Sequence, residues 1–482
     1  MNRRMVLHTL CIIMRIEAVV MIPALIIALY MEEFNAAYGF ICAMIILTAA
    51  SFATLLAKPR SRALYARDGM FIVALGWICV SLFGSIPFYI SGAIPNPADA
   101  LFETISGFST TGATILTDIE ALPVSMLYWR SFTHWLGGMG VLVFVLAIIP
   151  LAKNQGHTFH LLKAESPGPQ VGRIVPKVQS TAKWLYGIYI IMTVLEIVFL
   201  LAGGLTPFES ITTAFSTAGT GGFSIYNDSL ASFPVYAQNV VIVFMLLFGI
   251  NFNVFYMLAV REYRAIAKNW ELWLYLIIVG ASTAVITINV MPFFGNSQSE
   301  AAQQSLFQVS SLITTTGFST QNYILWPEFT QMLLMLLLCI GACAGSTSGG
   351  FKLSRLIILV KSFVRDIRKM FRPKEVSNIR LNGSVVEERT VLSVKSFLAA
   401  YIIIVALSML IISLDGFDYT VNVSASLTCI SNAGPGLGAV GPEGNYHAFS
   451  ALSKFVLMFE MLAGRLEIFP LLVLLVPSAW KR

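Results

Sequence analysis

Ten apolar stretches dominate the sequence, and each is long enough to cross a lipid bilayer as a helix of about 20 residues. They cover residues 9–30, 37–57, 69–91, 125–151, 181–202, 235–260, 271–293, 327–363, 392–414 and 447–477. Only 12% of the 482 residues are charged, whereas soluble domains have about a quarter. The chain is therefore predicted to be an integral membrane protein. An ordinary cytosolic enzyme, a nucleic-acid-binding protein and large soluble domains are excluded.

The basic residues of the polar connections all fall on one side if the ten spans alternate across the membrane. They lie in the ranges 3–4, 58–67, 153–183, 261–268, 355–395 and 481–482. The positive-inside rule then predicts that both termini are cytoplasmic and that the protein is a multi-pass protein of the cell (inner) membrane. The opposite side carries acidic residues such as Asp118, Glu120 and Glu443. These either attract cations or merely keep short loops soluble.

Four segments resemble one another at intervals of about a hundred residues, which indicates an internal repeat. Each has an apolar stretch of about 10 to 12 residues, then Ser, Thr or Asn, a small residue and a glycine. A helix of that length rises only about 18 Å and cannot cross a hydrocarbon core of about 30 Å. Each segment therefore predicts a re-entrant pore helix followed by a glycine loop. The segments are ALFETISGFSTTGAT (100–114), PFESITTAFSTAGTGGF (207–223), SLFQVSSLITTTGFST (305–320) and VSASLTCISNAGPGLG (423–438).

The repeats predict an all-α integral membrane protein with ten transmembrane helices. Each repeat reads as a span, a pore helix, a glycine loop and a second span, so all four copies cross the membrane twice and run parallel. Irregular backbone at membrane depth is tolerated only inside protein or along a watery cavity, so the four copies are expected to form a pseudo-fourfold ring around one pore. An N-terminal transmembrane hairpin (1–62) precedes pore repeats at 63–165, 166–268, 269–372 and 373–482.

The glycine loops offer the chemistry that a dehydrated monovalent cation needs. Backbone carbonyl oxygens replace its hydration shell when they face the same side, a geometry that includes positive φ angles and therefore favours glycine. Short helices that end at the loops would direct their negative dipole ends at the cation. The alternative is a repeated turn without ion binding. The predicted coordinating residues are Thr110, Thr111 and Gly112; Thr217, Ala218 and Gly219; Thr315, Thr316 and Gly317; and Asn432, Ala433 and Gly434.

These loops, with HWLGGMG (134–140), INFN (250–253), GACAGSTSGGFK (341–352) and MLAGRLE (461–467), resemble the Trk/Ktr/HKT family of potassium transporters, and within it the bacterial TrkH membrane subunits. The resemblance covers nearly the whole chain. It implies potassium uptake across the plasma membrane, a homodimer, and a cytoplasmic TrkA-like nucleotide-binding ring that controls a gate. In some plant members a serine replaces the first-repeat glycine and accompanies sodium permeation. Gly112 stands at that position here, which favours potassium.

The eighth apolar stretch, 327–363, is too long for one straight span, since it would reach about 55 Å as a helix. Residues 341–350 have poor helix propensity, and we interpret them as an intramembrane gating loop beneath the filter. Alternatively, three of the glycines recur every four residues and could form a helix-packing face. The predicted gate residues are Gly341, Gly345, Ser346, Thr347, Ser348, Gly349, Gly350, Lys352 and Arg465.

Arg465 lies inside the apolar last span, where a charge costs at least about 2.5 kcal/mol. From the residues alone, a structural pair with Glu460 or Glu467 is possible. The family resemblance implies instead that Arg465 projects into the pore below the filter as an electrostatic barrier to cations.

Several other polar residues carry predictions. Glu103 and Glu209 are expected at equivalent places in the first two pore helices, where they brace the filter or add negative potential. Asn251 and Asn253 lie in one apolar span, where they are expected to make hydrogen bonds to other helices or else to line the pore. His134 is expected at the membrane interface. The basic run 361–374 would bind anionic lipid headgroups, dock the cytoplasmic partner or simply be solvated.

No nucleophile–base pair, metal cluster or nucleotide-binding motif occurs in the sequence. We therefore expect neither an enzyme nor an organic cofactor in this chain, and no nucleic-acid partner. The potassium ion would be bound as cargo. The remaining alternatives are a sodium-permeable or sodium-coupled cation transporter of the same fold and an organic-solute transporter, although the last would show two related halves rather than four similar units.

Overall fold

The computed structural model describes residues 2–52, 65–140, 178–372, 378–382 and 384–480, and helices make up most of this part of the chain. A two-stranded antiparallel hairpin, β1 (Arg380–Leu381) and β2 (Ser384–Val385), accompanies them. The helices are α1 (Arg3–Val20), α2 (Ile22–Tyr30), α3 (Phe34–Ser51), α4 (Ala66–Gly84), α5 (Ile86–Ile90), α6 (Pro97–Phe108), α7 (Val124–Gly138), α8 (Val178–Ala202), α9 (Pro207–Gly219), α10 (Val235–Phe248), α11 (Phe252–Ala259), α12 (Tyr263–Ala267), α13 (Trp270–Val290), α14 (Gln298–Ile313), α15 (Glu328–Ile340), α16 (Leu353–Phe371), α17 (Glu388–Ile412), α18 (Tyr419–Ser431), α19 (Ala451–Arg465), α20 (Phe469–Leu474) and α21 (Pro477–Trp480).

Six helical segments in the described ranges are long and apolar enough to cross a membrane, and one bent pair is a further candidate. The predicted span 125–151 is described only to residue 140, and the predicted repeat boundaries after residues 62 and 165 lie outside the described residues. The six segments are Arg3–Tyr30, Phe34–Ser51, Arg67–Ile90, Lys183–Ala202, Trp270–Phe294 and Glu388–Asp415.

Two stretches predicted as continuous spans are broken. The 235–260 stretch bends by 89° between α10 and α11, because Asn251 caps α11 by accepting a hydrogen bond from the backbone of Asn253 at 2.9 Å. The 447–477 stretch breaks between α19 and α20, where Glu467 and Ile468 have φ angles of 54° and 66°. These positive angles are incompatible with a continuous α-helix.

Four short helices, α6, α9, α14 and α18, have 12 to 16 residues each. At 1.5 Å per residue they are about 18 to 24 Å long, as the repeats predict. Capping side chains mark the start of three of them: Asn96, Thr206 and Ser297 accept hydrogen bonds from first-turn backbone amides of α6, α9 and α14. Such caps satisfy amides that have no partner within the helix.

Each short helix packs on a helix that follows another of the short helices in the chain. Thus α7 packs on α9, α10 on α14, α15 on α18, and α19 packs back on α6. This order of contacts returns to its starting point. It brings the C-terminal ends of the four short helices, and the loops that follow them, into one region.

Candidate functional site

The loops that follow the four short helices share one backbone pattern. In each, a residue with φ between 53° and 56° is followed two positions later by a glycine with φ between 74° and 87°. The first left-handed residue is Thr or Asn, whereas the second is always glycine, which adopts this conformation without the penalty that a Cβ brings. We name the segments loop 1 (residues 110–112), loop 2 (220–222), loop 3 (315–317) and loop 4 (432–434).

Loop 2 lies three residues beyond its predicted position. Helix α9 continues through Thr217 and Ala218 to Gly219, and the left-handed residues are Thr220 and Gly222. The prediction failed because Thr-Ala-Gly and Thr-Gly-Gly both fit the pattern of a hydroxyl, a small residue and a glycine. The following residues distinguish them, since Gly-Phe-Ser ends both TGGFS (220–224) and TTGFS (315–319).

The same hydrogen bonds close all four short helices. The first loop residue donates its amide to the carbonyl three residues earlier, and the second donates to the carbonyl five residues earlier. In loop 1 these bonds run from Thr110 to Gly107 at 3.1 Å and from Thr111 to Ser106 at 2.9 Å. This is the Schellman arrangement, which satisfies carbonyls that the helix leaves unpaired.

The four loops contact one another in a closed cycle. A Cβ added to the glycine of any loop would overlap a backbone oxygen of the next loop, and the glycine of loop 4 meets loop 1. Each glycine is therefore required by its neighbour as well as by its φ angle. The four overlaps are Gly112 with the oxygen of Gly221, Gly222 with that of Thr316, Gly317 with that of Ala433, and Gly434 with that of Thr111.

A cavity lies over the glycines of all four loops. Its lining includes Gly112, Gly222, Gly317 and Gly434 as well as Glu443. Asn227, at its rim, donates a hydrogen bond of 2.9 Å to the carboxylate of Asp118, and this bond lowers the pKa of Asp118 below the usual carboxyl value. A negative charge is therefore retained beside the cavity mouth, where it attracts cations.

The hydroxyl groups of the loops have different environments. The Thr111 hydroxyl accepts a hydrogen bond from the Asn432 amide at 3.0 Å and thereby joins loops 1 and 4. The Thr316 hydroxyl lies 2.8 Å from that of Thr314. The Thr110 hydroxyl is buried and has no hydrogen-bond partner among the residues that the structure describes. The hydroxyls of Thr111 and Thr316 therefore brace the loops.

Glu103 braces the segment after loop 1. Its carboxylate accepts hydrogen bonds from the Thr114 hydroxyl at 2.9 Å and the Ile115 amide at 3.0 Å, and forms a buried ion pair of 2.6 Å with Arg130. Arg130 also donates to the Ser224 carbonyl, just beyond loop 2, at 2.7 Å. The pair therefore links the exits of loops 1 and 2.

Glu209 braces its own repeat from a different place. It accepts a hydrogen bond from the Tyr226 hydroxyl at 2.6 Å and completes the N-terminal cap of α9. Counted back from the first residue of each loop, Glu209 corresponds to Asp99 and not to Glu103. The predicted equivalence of Glu103 and Glu209 is therefore wrong, because it rested on the misplaced second loop.

Replacing Arg130 by methionine should lower the free energy of unfolding by about 3 to 5 kcal/mol, because Glu103 would remain buried without its cation. Lys395→Met is the matched control. Lys395 pairs with Asp366 at 2.8 Å, but both side chains are more than 40% exposed, so the loss should stay below about 1 kcal/mol. Reversible unfolding in mixed detergent micelles measures both values. Equal losses in the two variants would contradict this account.

Residues 341–352 form a non-helical loop between α15 and α16, and we name them the 341–352 loop. Its ends pair, because the amides of Phe351 and Lys352 donate to the carbonyls of Cys339 and Ile340 at 3.0 and 2.8 Å. The predicted interruption of the eighth stretch is confirmed. The alternative helix-packing face of Gly341, Gly345 and Gly349 is wrong, because none of these residues is helical.

The 341–352 loop packs directly against loops 3 and 4. The amide of Gly349 donates to the Thr315 hydroxyl at 2.7 Å, and the amide of Gly350 donates to the Ser431 carbonyl at 2.8 Å. These partners are the first residue of loop 3 and the residue before loop 4. The 341–352 loop therefore contacts the start of the glycine loops, whereas the cavity lies over their ends.

The INFN segment (250–253), at the break between α10 and α11, contacts the same loop. The Phe252 amide donates to the Gly345 carbonyl at 2.9 Å, and a Cβ on Gly345 would lie 3.1 Å from Asn251. From α13, the carboxylate of Glu271 accepts a hydrogen bond from the Ala344 amide at 2.7 Å. Asn251 thus caps α11 beside the loop, and the predicted continuous span is wrong at this residue.

Arg465 is the last residue of α19, and its guanidinium connects two backbone segments. It donates to the Thr347 carbonyl of the 341–352 loop at 2.9 Å, and to the carbonyls of Gly137 and Gly138 at the end of α7. Glu467 instead forms ion pairs with Lys352, at 3.3 Å, and with Arg355. Arg465 thus lies against the 341–352 loop.

His134 is fully buried on α7, so its predicted interfacial position is wrong. Its ring packs behind loop 2, and the proximity to Trp135 that suggested an interfacial site reflects an aromatic core instead. Sequence reasoning missed this residue because a histidine inside an apolar segment shows its partners only after folding. Its spacing of four residues from Arg130, which places both on one helix face, is the signal that was available.

Comparison with known proteins identifies the family. Residues 33–481 match the family model TrkH, described as a cation transport protein. The Trk system potassium uptake protein TrkH of Escherichia coli K12 is 35% identical over 427 residues, 87% of each chain, and TrkG of the same organism is 30% identical over 99% of each chain. The crystal structure of the potassium transporter TrkH from Vibrio parahaemolyticus superposes with a TM-score of 0.87 at 31% identity and covers both chains fully. The apolar helices and the similarity to TrkH proteins show that the chain is a multi-pass membrane protein. It belongs to the TrkH family of cation transport proteins and is a transporter, not an enzyme.

Proposed function

We propose that this protein takes up potassium across the plasma membrane through a filter built from the backbone oxygens of loops 1 to 4. The observation that carries the proposal is the closed cycle of contacts among the four loops. Each loop has two left-handed residues with one residue between them. Carbonyl oxygens from such a ring can replace the hydration shell of a monovalent cation. The relatives named for potassium uptake support potassium as the cargo.

The surroundings of the loops favour a cation over an anion. Four helix C-termini end at the loops, and each carries about half a negative charge from its dipole. The buried Thr110 hydroxyl supplies a further candidate ligand. With loop 2 relocated, the proposed ligand set includes Thr220, Gly221 and Gly222 in place of residues 217–219.

The proposed architecture is four span–pore helix–span repeats around one pore, with an N-terminal hairpin and ten spans in total. The cyclic packing of α7, α10, α15 and α19 on the next short helix supports this arrangement. Both termini would be cytoplasmic, as the distribution of basic residues requires. The cavity over the glycines then opens outwards, and the 341–352 loop lies on the cytoplasmic side of the filter.

The 341–352 loop would be the gate, together with Arg465. Its hydrogen bonds to Thr315 and Ser431 support this role, because a loop displaced from loops 3 and 4 would open a path that a packed loop closes. A cytoplasmic nucleotide-binding ring would move it, and the protein would work as a homodimer, as the family resemblance implies. Lys352, anchored to Glu467, would mark the end of the moving segment.

Ion flux in liposomes tests this function. We expect purified protein to carry potassium down its gradient and to discriminate against sodium. Equal flux of both ions would instead favour a sodium-permeable transporter of the same fold. Flux of potassium only with a sodium gradient would favour sodium coupling.

Shortening the 341–352 loop should make potassium flux nearly independent of the cytoplasmic partner. Removal of residues 345–348 deletes the segment that contacts Asn251 and Arg465 while the paired ends of the loop remain. The ratio of flux with and without the partner should then approach one. Flux is measured with and without the ring for the intact and the shortened chain. An unchanged ratio in a folded, active variant would refute the gate assignment.

A further inference from the structure

His134 lies directly behind loop 2, and the loop is shaped around it. A Cβ on Gly221 would overlap the imidazole atoms Nδ1, Cε1 and Cγ, and a Cβ on Gly219 would overlap the backbone carbonyl of His134. Two glycines of repeat 2 are therefore required by one residue of repeat 1. The oxygen of Gly221 in turn lies against Gly112, so the contact continues into the ring of loops.

A hydrogen bond fixes the exit of loop 2 to the same ring. The Phe223 amide donates to Nδ1 of His134 over 3.4 Å. Nδ1 can accept only when the ring hydrogen is on Nε2, so the contact specifies a neutral tautomer. The imidazole also stacks on the Phe223 ring, with centroids 4.1 Å apart and planes inclined by 18°.

Loop 1 and Arg130 complete the surroundings of the imidazole. The imidazole lies beside the backbone of Ser106, and its Nε2 makes no hydrogen bond of standard geometry with the described residues. The Ser106 carbonyl is the group that accepts the Thr111 amide of loop 1. Arg130, one turn earlier on α7, packs over the Phe223 ring at 3.5 Å from its centroid. The imidazole therefore lies between the last turn of α6, which holds loop 1, and the backbone of loop 2.

We propose that His134 is a positioning residue of the ion filter: its Nδ1 atom holds the Phe223 amide and thereby sets the position of loop 2 and the discrimination of potassium from sodium. This inference rests on the proposed function, because it assigns His134 a role in that same filter. The bond is buried, so its loss leaves the Phe223 amide without a partner. The cost of an unpaired buried amide corresponds to about a tenfold change in an equilibrium that depends on this bond.

Four substitutions separate the hydrogen bond from packing. His134→Asn keeps an acceptor near the position of Nδ1, whereas His134→Gln moves the acceptor towards the position of Nε2. His134→Phe keeps an aromatic ring for stacking and has no acceptor, and His134→Ala removes both. His447→Ala, at an exposed histidine, controls for the loss of a histidine elsewhere. The ratio of potassium to sodium flux in liposomes is the readout, with thermal unfolding as the check on folding.

The wild type and the Asn variant should keep the same ratio of potassium to sodium flux. In the Gln, Phe and Ala variants this ratio should fall about tenfold. If Ala does not fold, the comparison of Asn with Phe still decides. A Phe variant as selective as Asn would show that packing alone matters and would overturn the proposal, as would full selectivity in all folded variants. If the wild type itself does not discriminate potassium from sodium, the proposed function is wrong. This result is obtained before any substitution is made, so it is distinct from a failure of the His134 proposal alone.

Discussion

Gly112→Ala should reduce potassium uptake by about 100-fold. The φ angle of 79° at Gly112 disfavours any side chain, and a Cβ there would overlap the oxygen of Gly221 in loop 2. Because backbone cannot rotate away as a flexible side chain does, loops 1 and 2 must separate. A cost of about 3 kcal/mol, at the upper end of that for overpacked sites, corresponds to about 100-fold in rate. Potassium uptake into liposomes measures the effect.

Gly92→Ala is the matched control for Gly112→Ala. Gly92 has nearly the same φ angle, 78°, but no atom of the described residues lies within 4 Å of the position of its Cβ. Both variants therefore pay the conformational cost of a left-handed alanine, about 1 to 2 kcal/mol, and only Gly112→Ala disturbs the ring of loops. Equal uptake by the two variants would show that contact between loops 1 and 2 is not needed for transport.

Arg465→Gln should raise potassium flux by about tenfold. Two unit positive charges about 10 Å apart repel by about 1.7 kcal/mol at an effective dielectric constant of about 20, which is close to tenfold in rate. Glutamine removes this repulsion and still offers an amide to the Thr347 carbonyl. Single-channel conductance or the initial rate of liposome flux, without the cytoplasmic partner, measures the change.

Arg465→Lys separates charge from bracing. Lysine keeps the positive charge but cannot reproduce the planar fork that reaches the carbonyls of Thr347, Gly137 and Gly138. A charge barrier predicts that the Lys variant conducts as little as the wild type. If the Lys and Gln variants both conduct faster, Arg465 acts by holding the 341–352 loop. Loss of folding in Gln, with no gain of flux, would contradict the barrier.

The sequence alone placed loops 1, 3 and 4 correctly because local chemistry determines them. A helix too short to cross the membrane, followed by a glycine loop, leaves few conformations for the chain. The same local rule failed at loop 2, where residues 217–219 and 220–222 both satisfied it. Only the continuation Gly222-Phe223-Ser224 separates the two registers.

Sequence patterns do not predict which distant segments contact one another. Hydropathy made 235–260 one span, but Asn251 bends it by 89° beside Gly345. The burial of His134 and the pairing of Lys352 with Glu467 likewise depend on segments that meet only in the folded chain. Periodicity reports the environment along one helix and contains no information about which other helix lies against it.

Anomalous X-ray scattering from crystals soaked in thallium, a heavy substitute for potassium, would locate the bound ion. We expect density at the centre of the ring, in contact with backbone oxygens from all four loops, and loss of that density when potassium competes. Density confined to a single loop, or bound thallium elsewhere with none between the loops, would show that the four loops do not form an ion filter.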